Sequence, residues 1–194
     1  MILNMITGYS ASMRSEKVTL PAFVDNVLAD MPSPPEDIHK HVAMGNDDEA
    51  IQESIEYMTL RPYEPVMLIG KSMGAVRTWW MVYKHWRLLS ERDQPISVFL
   101  IDPHGWQKGD GRIGSYGSRR PLKWNEEWNL MNIRFNVYYQ RNKYPRGARM
   151  NGTYPNLKNE ELCGKANHWN VTQIDTRPGR KVADGIQGAI RSLM

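Results

Sequence analysis

The sequence predicts an α/β fold, a single domain over residues 1–194 in which a mostly parallel sheet is sandwiched between helices. Three observations carry that expectation. Short, almost uninterrupted apolar runs ("MILNMIT", "PVMLIG", "ISVFLID") recur along the chain, as in strands covered on both faces. The stretches between them return their apolar residues at helical spacing. Strands alternating with helices then join as right-handed parallel crossover units.

The first strand, "MILNMIT", is bounded by Gly8. A helix follows, with Thr19 as expected cap, Pro21 in its first turn, and Leu20, Phe23, Val24, Val27, Leu28 and Met31 on one stripe. "PSPP" at 32–35 ends it, and "IHKHVAM" at 38–44 reads as a weaker strand. Asn46 with Glu49 has capping-box spacing before Ile51, Ile55 and Met58. "PVMLIG" is a strand, and a long helix from about Met73 to Leu89 carries Val76, Trp79, Trp80, Tyr83 and Trp86. "ISVFLID" is the next strand. Residues 103–131 show no clear period and read as a long loop, a candidate flap, with at most a short helix near Trp124–Met131. "NIRFNVYYQ" alternates as a half-buried strand does, and a closing helix from about Pro178 presents Val182, Ile186, Ala189, Ile190 and Leu193.

Composition bounds the function. With 194 residues, 41% hydrophobic and 24% charged, the chain is long enough to bury a core and too apolar for disorder. It lacks a run of about 18 apolar residues, and no basic segment precedes its first apolar stretch. Neither a membrane span nor a secretory signal is expected, and a cytoplasmic location is. One cysteine, Cys163, leaves no internal disulfide. The net charge is +4, concentrated between residues 103 and 150, where ten Lys or Arg face three Asp or Glu. We read that segment as a solvated basic face rather than a nucleic-acid surface.

The chemistry centres on "PVMLIGKSMGAV" at 65–76, which admits two readings. As a phosphate-binding P-loop it ends in Gly-Lys-Ser, but the first loop glycine falls on Pro65, which has no N–H and a fixed φ. "VFLID" resembles the accompanying magnesium-binding strand, a pattern common in any parallel sheet. As a nucleophile elbow, G-x-S-x-G, it places Ser72 on a sharp strand-to-helix turn between Gly70 and Gly74, with Ala75 adding another small residue. A strand leads in and an amphipathic helix leads out. The helix N-terminus also offers free N–H groups to an oxyanion.

An elbow serine needs a base and a group to orient it, in chain order Ser, acid, His. His39 and His41 precede the serine, and His85 lies about three helical turns beyond it. His104 is two residues from the best acid, so one short loop would have to place both. His168, in "GKANHWNVT", is the expected base. Asp102, at the carboxyl end of "VFLID", is the expected acid, with Asp175 as an alternative. The oxyanion donors are the N–H of Met73 and one from the "TGYSAS" loop, assigned to Tyr9. Trp106 and Trp169 flank the acid and the base and are candidates for lining a substrate pocket. Cys163 lacks a glycine-flanked turn and is set aside as nucleophile.

With "GKSMG", "VFLID" and "NHW" in this order, the sequence resembles the α/β-hydrolase superfamily over nearly its whole length. It looks like a short version beginning at the family's third strand, with Thr7-Gly8 where His-Gly often stands and the acid one strand earlier than usual. The resemblance implies a serine esterase acting on a small-molecule, short-chain carboxylic ester through an acyl-enzyme on Ser72, with no cofactor and no metal. It gives neither the ester nor the oligomeric state. A catalytically silent scaffold used for binding and a nucleotide enzyme are the alternatives.

Overall fold

The computed structural model describes residues 1–8, 14–45, 47–104, 106–107, 113–114, 122–141, 147–162 and 165–194, with backbone alone for 14–19, 106–107 and 113–114. In chain order the elements are β1 (Ile2–Thr7), α1 (Arg14–Ala29), β2 (His39–Met44), α2 (Asp48–Thr59), β3 (Val66–Lys71), α3 (Met73–Ser90) and β4 (Ile96–Ile101). They continue with β5 (Trp106–Gln107), β6 (Ile113–Gly114), β7 (Ile133–Tyr139), β8 (Leu157–Glu161) and α4 (Arg177–Leu193). Short 3₁₀ turns occupy Glu126–Leu130 and Asn170–Thr172.

Six strands form one sheet in the order β2-β1-β3-β4-β7-β8, every neighbouring pair parallel. The alternation of side chains along each strand sends residues to opposite layers. Leu3, Met5, Met67, Ile69, Phe99 and Ile101 meet Leu20, Phe23, Val24 and Val27 of α1 and Val182, Ile186 and Ile190 of α4. Ile2, Ile6, Val66, Leu68, Val98 and Leu100 meet Ile55 and Met58 of α2 and Val76, Trp79 and Val82 of α3. Val182, Ile186 and Ile190 are completely buried, each contributing about 1.5–3 kcal/mol relative to exposure. The strand order sets where a site can form. β1 connects to β2 on one side and β3 to β4 on the other, so the connections run in opposite directions and open a crevice between the carboxyl ends of β1 and β3.

Several boundaries differ from the sequence reading. α1 begins at Arg14 and runs through Pro21 rather than starting at Thr19, because an interior proline removes only one helical bond when the stripe below it is buried. α2 is capped by Asp47, whose carboxylate accepts from the Ala50 N–H at 3.0 Å. Asn46 lies outside the described residues. α3 departs from helical geometry at His85. β8 was not expected from the sequence: "LKNEE" is a polar edge strand with no apolar alternation. Within 103–131 the chain forms the small β5–β6 ribbon and the turn at Glu126–Leu130, and most of the remainder of the expected flap lies outside the described residues.

Candidate active site

Ser72 occupies the junction between β3 and α3. β3 pairs with β1 on one side and β4 on the other over residues 66–70. The N–H groups of residues 66–70 are therefore committed to the sheet and cannot wrap a phosphate as a P-loop does. At Ser72 the backbone turns sharply, with φ 62° and ψ −127°, and α3 begins at the next residue. A non-glycine residue in that region carries about 1–3 kcal/mol of strain. The turn holds because its neighbours are small. A Cβ on Gly74 would lie 2.1 Å from the Ile6 carbonyl oxygen, and one on Gly70 would lie 2.6 Å from the Ala75 Cα. The Ser72 N–H donates to the Ile101 carbonyl at 2.9 Å, tying the elbow to β4. Ser72 is fully buried.

Asp102 stands one strand over, just past β4, and also has positive φ, at 46°. Its N–H donates to the Tyr138 carbonyl at 2.6 Å, and its Oδ1 accepts from the Gln140 N–H at 3.2 Å. Gly147 packs so closely on this carboxylate that a Cβ there would sit 2.2 Å from Oδ1. The second oxygen, Oδ2, lies 2.8 Å from Nδ1 of His168. Both groups are buried, so the hydrogen bond is between a carboxylate and an imidazole shielded from water, where such bonds are strong. With Nδ1–H donating to Asp102, the tautomer is fixed and Nε2 is the acceptor. The loop that presents His168 is self-braced: the Asn167 side chain accepts from the N–H groups of Trp169 and Asn170, and Asn170 Oδ1 accepts from the Asn167 N–H.

His104 joins this cluster. The positive φ of Asp102 folds Asp102-Pro103-His104 back on the elbow, and the His104 N–H reaches the Ser72 carbonyl at 3.3 Å. Its ring lies against the serine hydroxyl, with Ser72 Oγ 3.0 Å from Nε2 and 3.4 Å from Nδ1. Those two distances fix the approach. A hydroxyl donating along the lone pair of one ring nitrogen leaves the other about 5 Å away. With both nitrogens within 3.4 Å, the hydroxyl sits beside the His104 ring rather than in line with a nitrogen lone pair. Nδ1 of His104 is also 3.3 Å from the Asp102 carbonyl oxygen. The two imidazoles meet edge to face, centroids 4.3 Å apart.

The structure thus brings Ser72, Asp102 and His168 into one buried neighbourhood, with a direct bond between the acid and the expected base. Met73 is the first residue of α3, where backbone N–H groups have no partner within the helix. Tyr9, the other expected oxyanion donor, lies outside the described residues, as does Cys163. Trp106 is in β5, and its side chain is outside the described residues. Trp169 packs edge to face on His168, centroids 5.3 Å apart, and is 62% exposed, so it borders the base on its solvent side. Asp175 is exposed.

Two site residues were not singled out in the sequence. His104 was set aside because it sits two residues from the acid, and the left-handed conformation of Asp102 is what lets one loop place both. Residue type does not signal it, since a residue before proline favours extended backbone. Lys71 precedes the serine, is buried, and carries Nζ 5.8 Å from the Trp169 ring.

Comparisons of the chain with protein-family models, with curated protein sequences and with solved structures each return no match. Among the described residues, no helix is long and apolar enough to cross a membrane.

Proposed function

We propose that this protein is a serine hydrolase, a short member of the α/β-hydrolase superfamily, that cleaves short-chain carboxylic esters through an acyl-enzyme on Ser72. The observation that carries the reading is the strained, glycine-flanked turn that holds Ser72 against His104, whose ring meets the His168 of a buried Asp102–His168 pair. Strain of this kind persists where a side chain must be aimed, and the turn opens at the sheet crevice where ligands collect. The parallel sheet and the order Ser72, Asp102, His168 along the chain also support it.

In this reading His168 is the base. His104 touches Ser72 side-on, with its Nδ1 3.3 Å from a backbone carbonyl, whereas His168 is bonded to the carboxylate that stabilises an imidazolium. On attack, Ser72 Oγ turns from His104 toward Nε2 of His168, gives up its proton there and bonds to the ester carbonyl carbon. The Met73 N–H faces the developing oxyanion. His168 then passes the proton to the alkoxide as the C–O bond breaks, and the acyl group stays on Ser72. A water deprotonated by His168 repeats the sequence and frees the acid. Trp169 borders the acyl or alkyl portion of the substrate.

The test is hydrolysis of p-nitrophenyl acetate, butyrate and octanoate. Turnover favouring the shorter esters, with Ser72→Ala and His168→Ala both falling by about 10³-fold or more, is the expected result. Turnover equal in Ser72→Ala, or none above buffer from folded protein, contradicts the proposal.

A further inference from the structure

We infer that the same cluster is a zinc site, and that one Zn²⁺ held by Asp102, His104 and His168 shuts the enzyme off. The inhibitory part rests on the hydrolase reading, and the binding part does not. These three residues each offer a ligand atom, and all of those atoms lie within 4.8 Å of one another. Zinc bound at 2.0–2.2 Å to nitrogen and oxygen in a tetrahedron needs donors about 3.3 Å apart. Asp102 Oδ2 and His168 Nδ1 are already closer than that, at 2.8 Å, and side-chain rotation spans the remaining gap. Two imidazoles and one carboxylate form a donor set that suits zinc well and magnesium or calcium poorly.

The surroundings reinforce the set. All three donors are buried, so a bound ion would be held out of bulk water and its ligands would have little freedom to leave. The carboxylate already accepts at its other oxygen from the Gln140 N–H, and Nδ1 of His104 is near the Asp102 carbonyl, the kind of outer hydrogen bonding that orients zinc ligands.

The consequence is antagonism. A catalytic His168 needs an unshared lone pair on Nε2 and Asp102 on its other nitrogen. Zinc displaces the proton between Asp102 and Nδ1 of His168; the neutral imidazole then carries its proton on Nε2, so it can no longer act as the base, and the carboxylate is taken up by the ion. No electron transfer is involved, and the ion leaves as it came.

Calorimetric titration of the whole chain with zinc chloride, wild type beside Ser72→Ala and His104→Ala, tests the site. Fluorophosphonate labelling with and without one equivalent of zinc tests its effect. Expected are one equivalent bound by wild type and by Ser72→Ala, and a loss in His104→Ala exceeding the roughly 10–100-fold that removal of an outer partner costs. Labelling of Ser72 should slow at least tenfold with zinc and recover with EDTA. Cobalt chloride added to wild type should give the intense visible absorption of a four-coordinate site, which needs no variant to fold. Absence of zinc binding, or binding unchanged in a folded His104→Ala, overturns the site. Zinc-loaded protein that labels as fast as zinc-free protein overturns the inhibition. If the zinc-free chain does not label at all, the hydrolase reading fails, and with it the inhibition, while calorimetry still decides the zinc site.

Discussion

Gly74→Ala attacks the geometry on which the elbow depends. A Cβ at position 74 would lie 2.1 Å from the Ile6 carbonyl oxygen and 2.6 Å from the Ile6 and Thr7 carbonyl carbons, where ordinary contact begins at 3.4 Å. The first turn of α3 and the end of β1 must therefore separate by about 1.3 Å. Neither moves freely. β1 is paired on both sides, and α3 packs Ala75, Val76 and Trp79 into the core. Overpacking of this kind costs about 1–3 kcal/mol, and backbone rather than flexible side-chain atoms put it at the upper end. We expect a loss of about 3 kcal/mol in urea denaturation, a fall of roughly 6–12 °C in melting temperature for a chain of this size, together with loss of any activity at Ser72. Gly188→Ala is the matched control. It lies in α4 with nothing within 4 Å of the added methyl, so helix propensity alone should raise stability by about 0.5–1 kcal/mol. A Gly74→Ala variant within 1 kcal/mol of wild type would refute the close approach of α3 to β1.

Other expectations are independent of that contact. Ser72→Gly removes the side chain from a residue at φ 62° and ψ −127°, so relief of strain should offset glycine's entropy and leave stability at or up to about 1 kcal/mol above wild type. The same variant should have no esterase activity, and a clear drop in thermal melting would contradict the strain. Arg92 is buried and its guanidinium donates to the carbonyls of Met58, Arg61 and Glu64, closing the turn after α2. Arg92→Ala should cost about 3 kcal/mol in urea, since hydrogen bonds to a charged donor are worth about 1.5–3 kcal/mol and three carbonyls lose one, although those of Met58 and Arg61 keep a backbone N–H donor. A loss under 1 kcal/mol would mean water replaces it. For Glu160, burial pushes the carboxyl pKa up, but hydrogen bonds from Lys158 and Lys181 outweigh it and hold the group below its ordinary 4.5. A depressed carboxylate stabilises the fold above its unfolded pKa and loses that contribution as pH falls through the lower folded value. Wild type should exceed Glu160→Gln in stability near neutral pH and converge with it below pH 4.5; a gap that widens in acid would reverse the assignment.

The parallel core was readable because its strands are apolar runs and its helices have one apolar stripe. Leu20, Phe23, Val24 and Val27 are buried as their spacing demands, and so are Val182 and Ile186. β8 escaped because its run, Leu-Lys-Asn-Glu-Glu, is polar, as an edge strand can be, and its pairing with β7 is a backbone matter. The start of α1 was misplaced because proline and a nearby threonine look like a helix start whether or not one lies there. At the site, Ser72 was legible through its flanking glycines, since only small residues permit that turn. Asp102 and His168 were legible through order along the chain. His104 was not, because its approach to Ser72 depends on a left-handed φ at Asp102, which leaves no mark in residue type.

The most direct test of the account is fluorophosphonate labelling of wild type beside Ser72→Ala and His168→Ala, with mass mapping of the modified peptide. The account predicts one adduct on Ser72, absent in Ser72→Ala and formed far more slowly in His168→Ala. Folded wild-type protein that forms no adduct, or forms one at another residue, would contradict an activated serine at the end of β3.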